Sequence, residues 1–89
     1  FGTHTHVQTA DEQLLPKGSA FITDLGMCGV TDGILGVKPE TVISDYVMKV
    51  HNRFEKAEGN KALCGALFTL DTASGYVKEV KRIRYDCGA

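Results

Sequence analysis

The sequence contains no apolar run near the ~20 residues that a membrane-spanning helix needs, and its start lacks the charged-then-apolar layout of a secretion signal. A soluble chain is the expectation. Charge of one sign is also missing. Ten Lys and Arg stand against eleven Asp and Glu, so a formal charge of -1 offers no basic field to nucleic acid phosphates or to an anionic membrane. Neither a nucleic acid polymer nor a membrane is an expected partner. The three cysteines, Cys28, Cys64 and Cys87, are widely spaced, odd in number and without a Cys-x-x-Cys pair. This argues against a disulfide framework and fits idle or buried thiols in a reducing cytoplasm. With two Pro, ten Gly and 43% hydrophobic residues, the composition excludes collagen-like, low-complexity and disordered chains. What remains is a globular piece of 89 residues. A lone domain of that size hides only about 60 to 65% of its unfolded surface.

Three kinds of local pattern are present. The run Ser19 to Leu25, apolar, short and bounded by Gly18 and Gly26, predicts a buried strand. The glycine-punctuated stretch up to Gly36 predicts a loop, with Asp32-Gly33 as a turn because Gly accepts positive φ. From Pro39 the period changes. Val42, Ile43, Tyr46, Val47 and Val50 trace one face of a helix over Pro39 to Asn52, with Pro39 in the first turn. Glu40 near its start and Lys49, His51 and Arg53 near its end complement the dipole. After a polar connection, Ala62 to Leu70, the turn Asp71 to Gly75, and Tyr76 to Tyr85 predict a β-hairpin. The three-residue spacing of Val77, Val80 and Ile83 fits its second arm if a bulge lies near Glu79. No repeat and no linker long enough to separate two domains is evident.

His4 and His6 carry the most chemistry. In an extended segment a two-residue spacing points both imidazoles to one side, within reach of one metal site. Neutral imidazole binds first-row transition metals well, at ~2.0 to 2.1 Å for zinc, yet two nitrogens leave most coordination positions to other ligands. Thr3, Thr5, Gln8 and Thr9 supply hydroxyl and amide groups that would orient the rings. The chain opens on Phe1 and runs directly into this segment, which reads as a cut end whose site is completed by other sequence.

The string Gly2-Thr3-His4-Thr5-His6-Val7-Gln8-Thr9-Ala10-Asp11 resembles the last metal-binding motif of the calcineurin-like metallophosphoesterases, in the bacterial YmdB-like branch. Ala20-Phe21-Ile22-Thr23-Asp24-Leu25-Gly26-Met27, Asp32-Gly33-Ile34-Leu35-Gly36, Arg53-Phe54-Glu55 with Ala57-Glu58-Gly59, and the hairpin are similar to that branch in the same order. Cys28 stands where the branch usually carries Thr, and Val30-Thr31 follows where Pro is common; the thiol reads as space-filling.

The resemblance implies an α+β chain, residues 1–89, that is the C-terminal segment of a single four-layer α/β/β/α sandwich domain. It implies a phosphodiesterase or phosphatase acting on a small phosphate ester such as a cyclic nucleotide. Two divalent or mixed-valence transition metals, manganese or iron first and zinc as the alternative, would lie ~3.5 to 4 Å apart. His4 and His6 would each bind one ion. The family's remaining ligands belong to upstream motifs outside this sequence, so the segment alone is expected to be inactive. His51 reads as a surface residue at the helix end; Asp11, Asp24 and Asp32 lie near the motif segments, where a supporting role behind the ligands stays open, with Asp32 explained as a turn residue, and none of the three is expected as a ligand. Two other readings stay open. One is a small zinc-stabilised interaction module closed by His4, His6 and two of the three cysteines. The other is a homo-oligomerising packing element built on the hairpin and the Val42 to Val50 face.

Overall fold

A computed structural model describes residues 1–88. In chain order the elements are β1 (Gln13–Leu14), β2 (Ala20–Phe21), β3 (Gly29–Val30), α1 (Pro39–Met48), β4 (Lys61–Leu70) and β5 (Val77–Gly88). β1 pairs antiparallel with β2, and a second sheet has the order β3-β4-β5. The class is α+β, with one helix among the described residues. No helix among them is long and apolar enough to cross a membrane.

The chain divides into two compact units. The first joins Phe1–Met27 to Leu63–Tyr85, and the second is Cys28–Ala62 with the end of β5. In the first unit the β4–β5 hairpin forms as its sequence predicts. Its turn is held by Asp71, whose backbone N–H donates to Tyr76 O at 2.8 Å and whose carboxylate accepts from the Ser74 hydroxyl at 2.9 Å. Val77, Val80 and Ile83 are the half-buried positions of β5, at the three-residue spacing of the sequence.

The Ser19 to Leu25 run departs from the expected buried strand, because only Ala20–Phe21 pair as strand. Beyond Phe21 the backbone is irregular. Leu25 N–H donates to Gly2 O at 2.9 Å and Thr9 N–H to Asp24 O at 3.1 Å. Burial nevertheless falls where a strand would put it, since Ile22 is fully buried and Asp24 is 2% exposed.

In the second unit two expectations change. Part of the predicted glycine-rich loop is strand: Gly29 and Val30 pair with Ala62 and Lys61. Gly33 does not take a positive φ; it is small because a Cβ there would lie 2.6 Å from both Ala57 Cβ and Val37 O. The tight turn falls instead at Leu35-Gly36, where both residues have positive φ, as a type I′ connection between Ile34 and Val37 requires. Asp32 sits in the bend before it and accepts Asn60 N–H at 2.8 Å.

α1 starts at Pro39 as predicted, but ends at Met48 rather than Asn52. Lys49 takes the left-handed conformation, φ 54, and Asp45 Oδ1 accepts both the backbone N–H of Asn52 at 2.8 Å and its side-chain amide at 2.7 Å. These contacts turn the chain back, so the predicted basic last turn lies beyond the helix. Its apolar stripe is not covered within the unit either. No residue of α1 is buried, and Tyr46 is 82% exposed. Among the described residues of this unit, Val30, Ala57 and Ala62 are the buried apolar ones.

Candidate functional site

His4 and His6 lie in the first unit on a bend over residues 4–7, not on an extended segment. His6 holds φ 65, a left-handed conformation that is uncommon for residues with a Cβ but enriched in His. Alternation along an extended strand therefore does not set the ring directions. Both imidazoles are exposed.

The bend is shaped from below by Asp24. Oδ2 of Asp24 accepts the backbone N–H of His4 at 3.0 Å, the N–H of Thr5 at 2.7 Å and the Thr5 hydroxyl at 2.7 Å. Its other oxygen accepts Gly26 N–H at 2.8 Å. The Thr5 hydroxyl has one hydrogen, given to Asp24, and its oxygen accepts Val7 N–H at 3.2 Å. The Gly26 N–H first, then the Thr5 hydroxyl and N–H and the His4 N–H, hold the Asp24 carboxyl well below the usual range and keep it ionised.

Gln8 and Thr9 bond to groups other than the imidazoles. The Gln8 amide nitrogen reaches Ile83 O at 2.7 Å, Gly65 O at 3.1 Å and Leu25 O at 3.4 Å, joining both arms of the hairpin to the Leu25 segment. The Thr9 hydroxyl donates to Asp11 Oδ1 at 2.7 Å and accepts Asp24 N–H at 3.0 Å. Asp11 also accepts the Thr23 hydroxyl and, at 3.0 Å, the Thr23 N–H. The Thr23 hydroxyl and then the Thr9 hydroxyl lower its pKa to about 2. Thus Asp11 staples the segment that follows the histidines to the Thr23-Asp24 backbone.

His51, expected at the surface, is exposed beyond the end of α1. Cys28 and Cys87 are exposed and Cys64 is half-buried. Among the described residues no group of three or more His, Cys, Asp or Glu is placed to hold a metal ion. The donors present are two accessible imidazoles on one hydrogen-bonded bend, a ligand type that suits first-row transition metals.

The family model described as YmdB-like protein matches residues 1–83, and the chain belongs to that family. Among curated relatives, it is 48% identical over 82 residues to the 2',3'-cyclic-nucleotide 2'-phosphodiesterase of Bacillus subtilis, covering 92% of this chain and 31% of that protein. It is 41% identical over 85 residues to a putative phosphatase/phosphodiesterase of Mycoplasma pneumoniae, covering 94% and 30%. The fold matches the crystal structure of a novel phosphatase from Mycoplasma pneumoniae with a TM-score of 0.88 at 38% identity, over 96% of this chain and 31% of that one. A hypothetical protein from Thermus thermophilus matches with a TM-score of 0.86 at 29% identity, over 96% and 33%. The chain thus spans about a third of the length of the relatives it matches.

Proposed function

We propose that this chain is part of a metal-dependent phosphoesterase, a phosphodiesterase acting on small phosphate esters of the 2',3'-cyclic-nucleotide kind. One observation carries the reading: both histidines stand exposed on one hydrogen-bonded bend, inside the segment shared with relatives named as phosphodiesterase or phosphatase. The segment belongs, in this reading, to a four-layer sandwich completed by the rest of the protein.

When bound, two divalent or mixed-valence transition metals, manganese or iron first and zinc as the alternative, supply Lewis acidity toward the phosphoryl oxygens and a water of lowered pKa. His4 and His6 would each give one imidazole nitrogen to the pair. Asp11 ties Thr9 to Thr23 in the segment that follows the histidines. The two histidines are a partial ligand set, so residues 1–89 alone turn over no ester.

The full-length protein, assayed with Mn²⁺ on a 2',3'-cyclic nucleotide, tests this. His4→Ala and His6→Ala are each expected to lose about 100-fold or more in activity, at or beyond the upper end of what removing a supporting outer group costs. Wild-type turnover in either variant, or turnover by residues 1–89 alone, refutes the assignment.

A further inference from the structure

We infer that Asp24 is a positioning residue for the two histidines: its buried carboxylate sets the backbone of the His4-Thr5-His6 bend and so the placement of both imidazoles. The inference rests on the reading of His4 and His6 as metal ligands. Asp24 does not act as a ligand itself, because it is 2% exposed and its oxygens are already committed. Oδ2 takes three donors from His4 and Thr5, and Oδ1 takes the Gly26 N–H. Two consecutive backbone N–H groups converging on one oxygen define the chain direction at His4 and Thr5, immediately before His6 enters the left-handed region. Thr5 Oγ1 extends the same grip to Val7 N–H, on the far side of His6. The carboxylate therefore reaches the backbone on both sides of the second histidine.

Only an ionised carboxylate serves all four donors. An asparagine has the same shape but one acceptor atom, so it turns an NH2 group either toward the Gly26 N–H or toward the three donors of the bend. Asp24→Asn thus keeps the volume of the buried site while breaking the cradle on one side.

The test uses the metal-stripped full-length protein and follows Mn²⁺ binding by the electron paramagnetic resonance signal of the free ion, well below the melting temperature. Asp24→Asn is expected to weaken Mn²⁺ binding about 10- to 100-fold, the range for groups that orient metal ligands. Exchange of the His4 and Thr5 amide hydrogens should quicken in parallel. Ile22→Val, which trims the fully buried neighbour, should lower the melting temperature yet leave Mn²⁺ affinity within about twofold, separating positioning from plain stability. Thr5→Val keeps the shape of an exposed side chain and removes one donor of the cradle, so it reports even if Asp24→Asn does not fold; a loss of about 5- to 10-fold, one hydrogen bond, is expected. Unchanged Mn²⁺ affinity in Asp24→Asn or Thr5→Val, with affinity lost in His4→Ala, overturns the positioning role and leaves the ligand reading standing. Unchanged affinity in both His4→Ala and His6→Ala overturns the ligand reading and the inference with it.

Discussion

Gln8 offers a quantitative test of what holds the histidine-bearing segment to the hairpin. Its amide nitrogen carries two hydrogens and faces three carbonyl oxygens, at 2.7 Å (Ile83), 3.1 Å (Gly65) and 3.4 Å (Leu25). Two full bonds are made, and the third oxygen shares a hydrogen. Each such bond contributes about 1 kcal/mol net, whereas a carbonyl left dry costs about 1 to 3 kcal/mol. Gln8 is half-buried, so water reaches part of the gap in Gln8→Ala, and the expected loss is about 2 to 3 kcal/mol. A loss of about 2 kcal/mol corresponds to roughly 30-fold in the folding equilibrium. Gln8→Glu is sharper. It preserves size and length but replaces both donors with a carboxylate aimed at three carbonyls, so it should cost more than Gln8→Ala at neutral pH. Without a donor to stabilise its charge, Glu at position 8 has a folded-state pKa raised above the ordinary value of about 4.3. Its protonated form can donate one hydrogen bond, so part of the deficit should return as the pH falls toward about 4. Urea denaturation of the full-length protein at pH 7.5 and at pH 4.5 measures both effects as shifts in midpoint at constant slope. A Gln8→Glu variant within about 0.5 kcal/mol of wild type at pH 7.5, the range of ordinary surface substitutions, would refute the reasoning.

Asp11 should contribute a pH-dependent stability. Its pKa falls from 3.8 to about 2 in the folded chain, so its contribution is present above pH 3.8 and is lost as pH falls toward 2. The difference in melting temperature between wild type and Asp11→Asn should accordingly shrink across that window; a difference that stays constant down to pH 2 would count against it. Gly26→Ala should destabilise by at least about 2 kcal/mol, combining left-handed backbone strain with overpacking. Gly26 holds φ 87, and the added Cβ would lie 2.9 Å from Gln8 Cβ and 3.1 Å from Cys64 Cβ. A midpoint unchanged in the same urea experiment would disprove that crowding.

The features legible in the amino-acid order are those whose causes lie within a few residues. The hairpin follows from two apolar runs around Asp71 to Gly75, whose turn bonds span two to five residues. The start of α1 follows from the fixed φ of Pro39. His4 and His6 were legible as a candidate pair because side-chain chemistry and spacing are written directly in the sequence. Their conformation was not, since the bend depends on a carboxylate about twenty residues away. Asp24 was legible as a carboxylate near the motif segments, open to a supporting role; the same distance hid which backbone N–H groups it holds. Gln8 was misplaced for the same reason: its acceptors at Gly65 and Ile83 are 57 and 75 residues distant. The end of α1, the pairing of Gly29–Val30 with Lys61–Ala62 and the close approach of Gly33 to Ala57 were likewise decided by the folded chain. Periodicity reports which side of an element is apolar. It carries no record of which distant N–H or carbonyl will be near enough to end a helix, bend a segment or occupy a buried carboxylate, because that depends on chain closure over many residues.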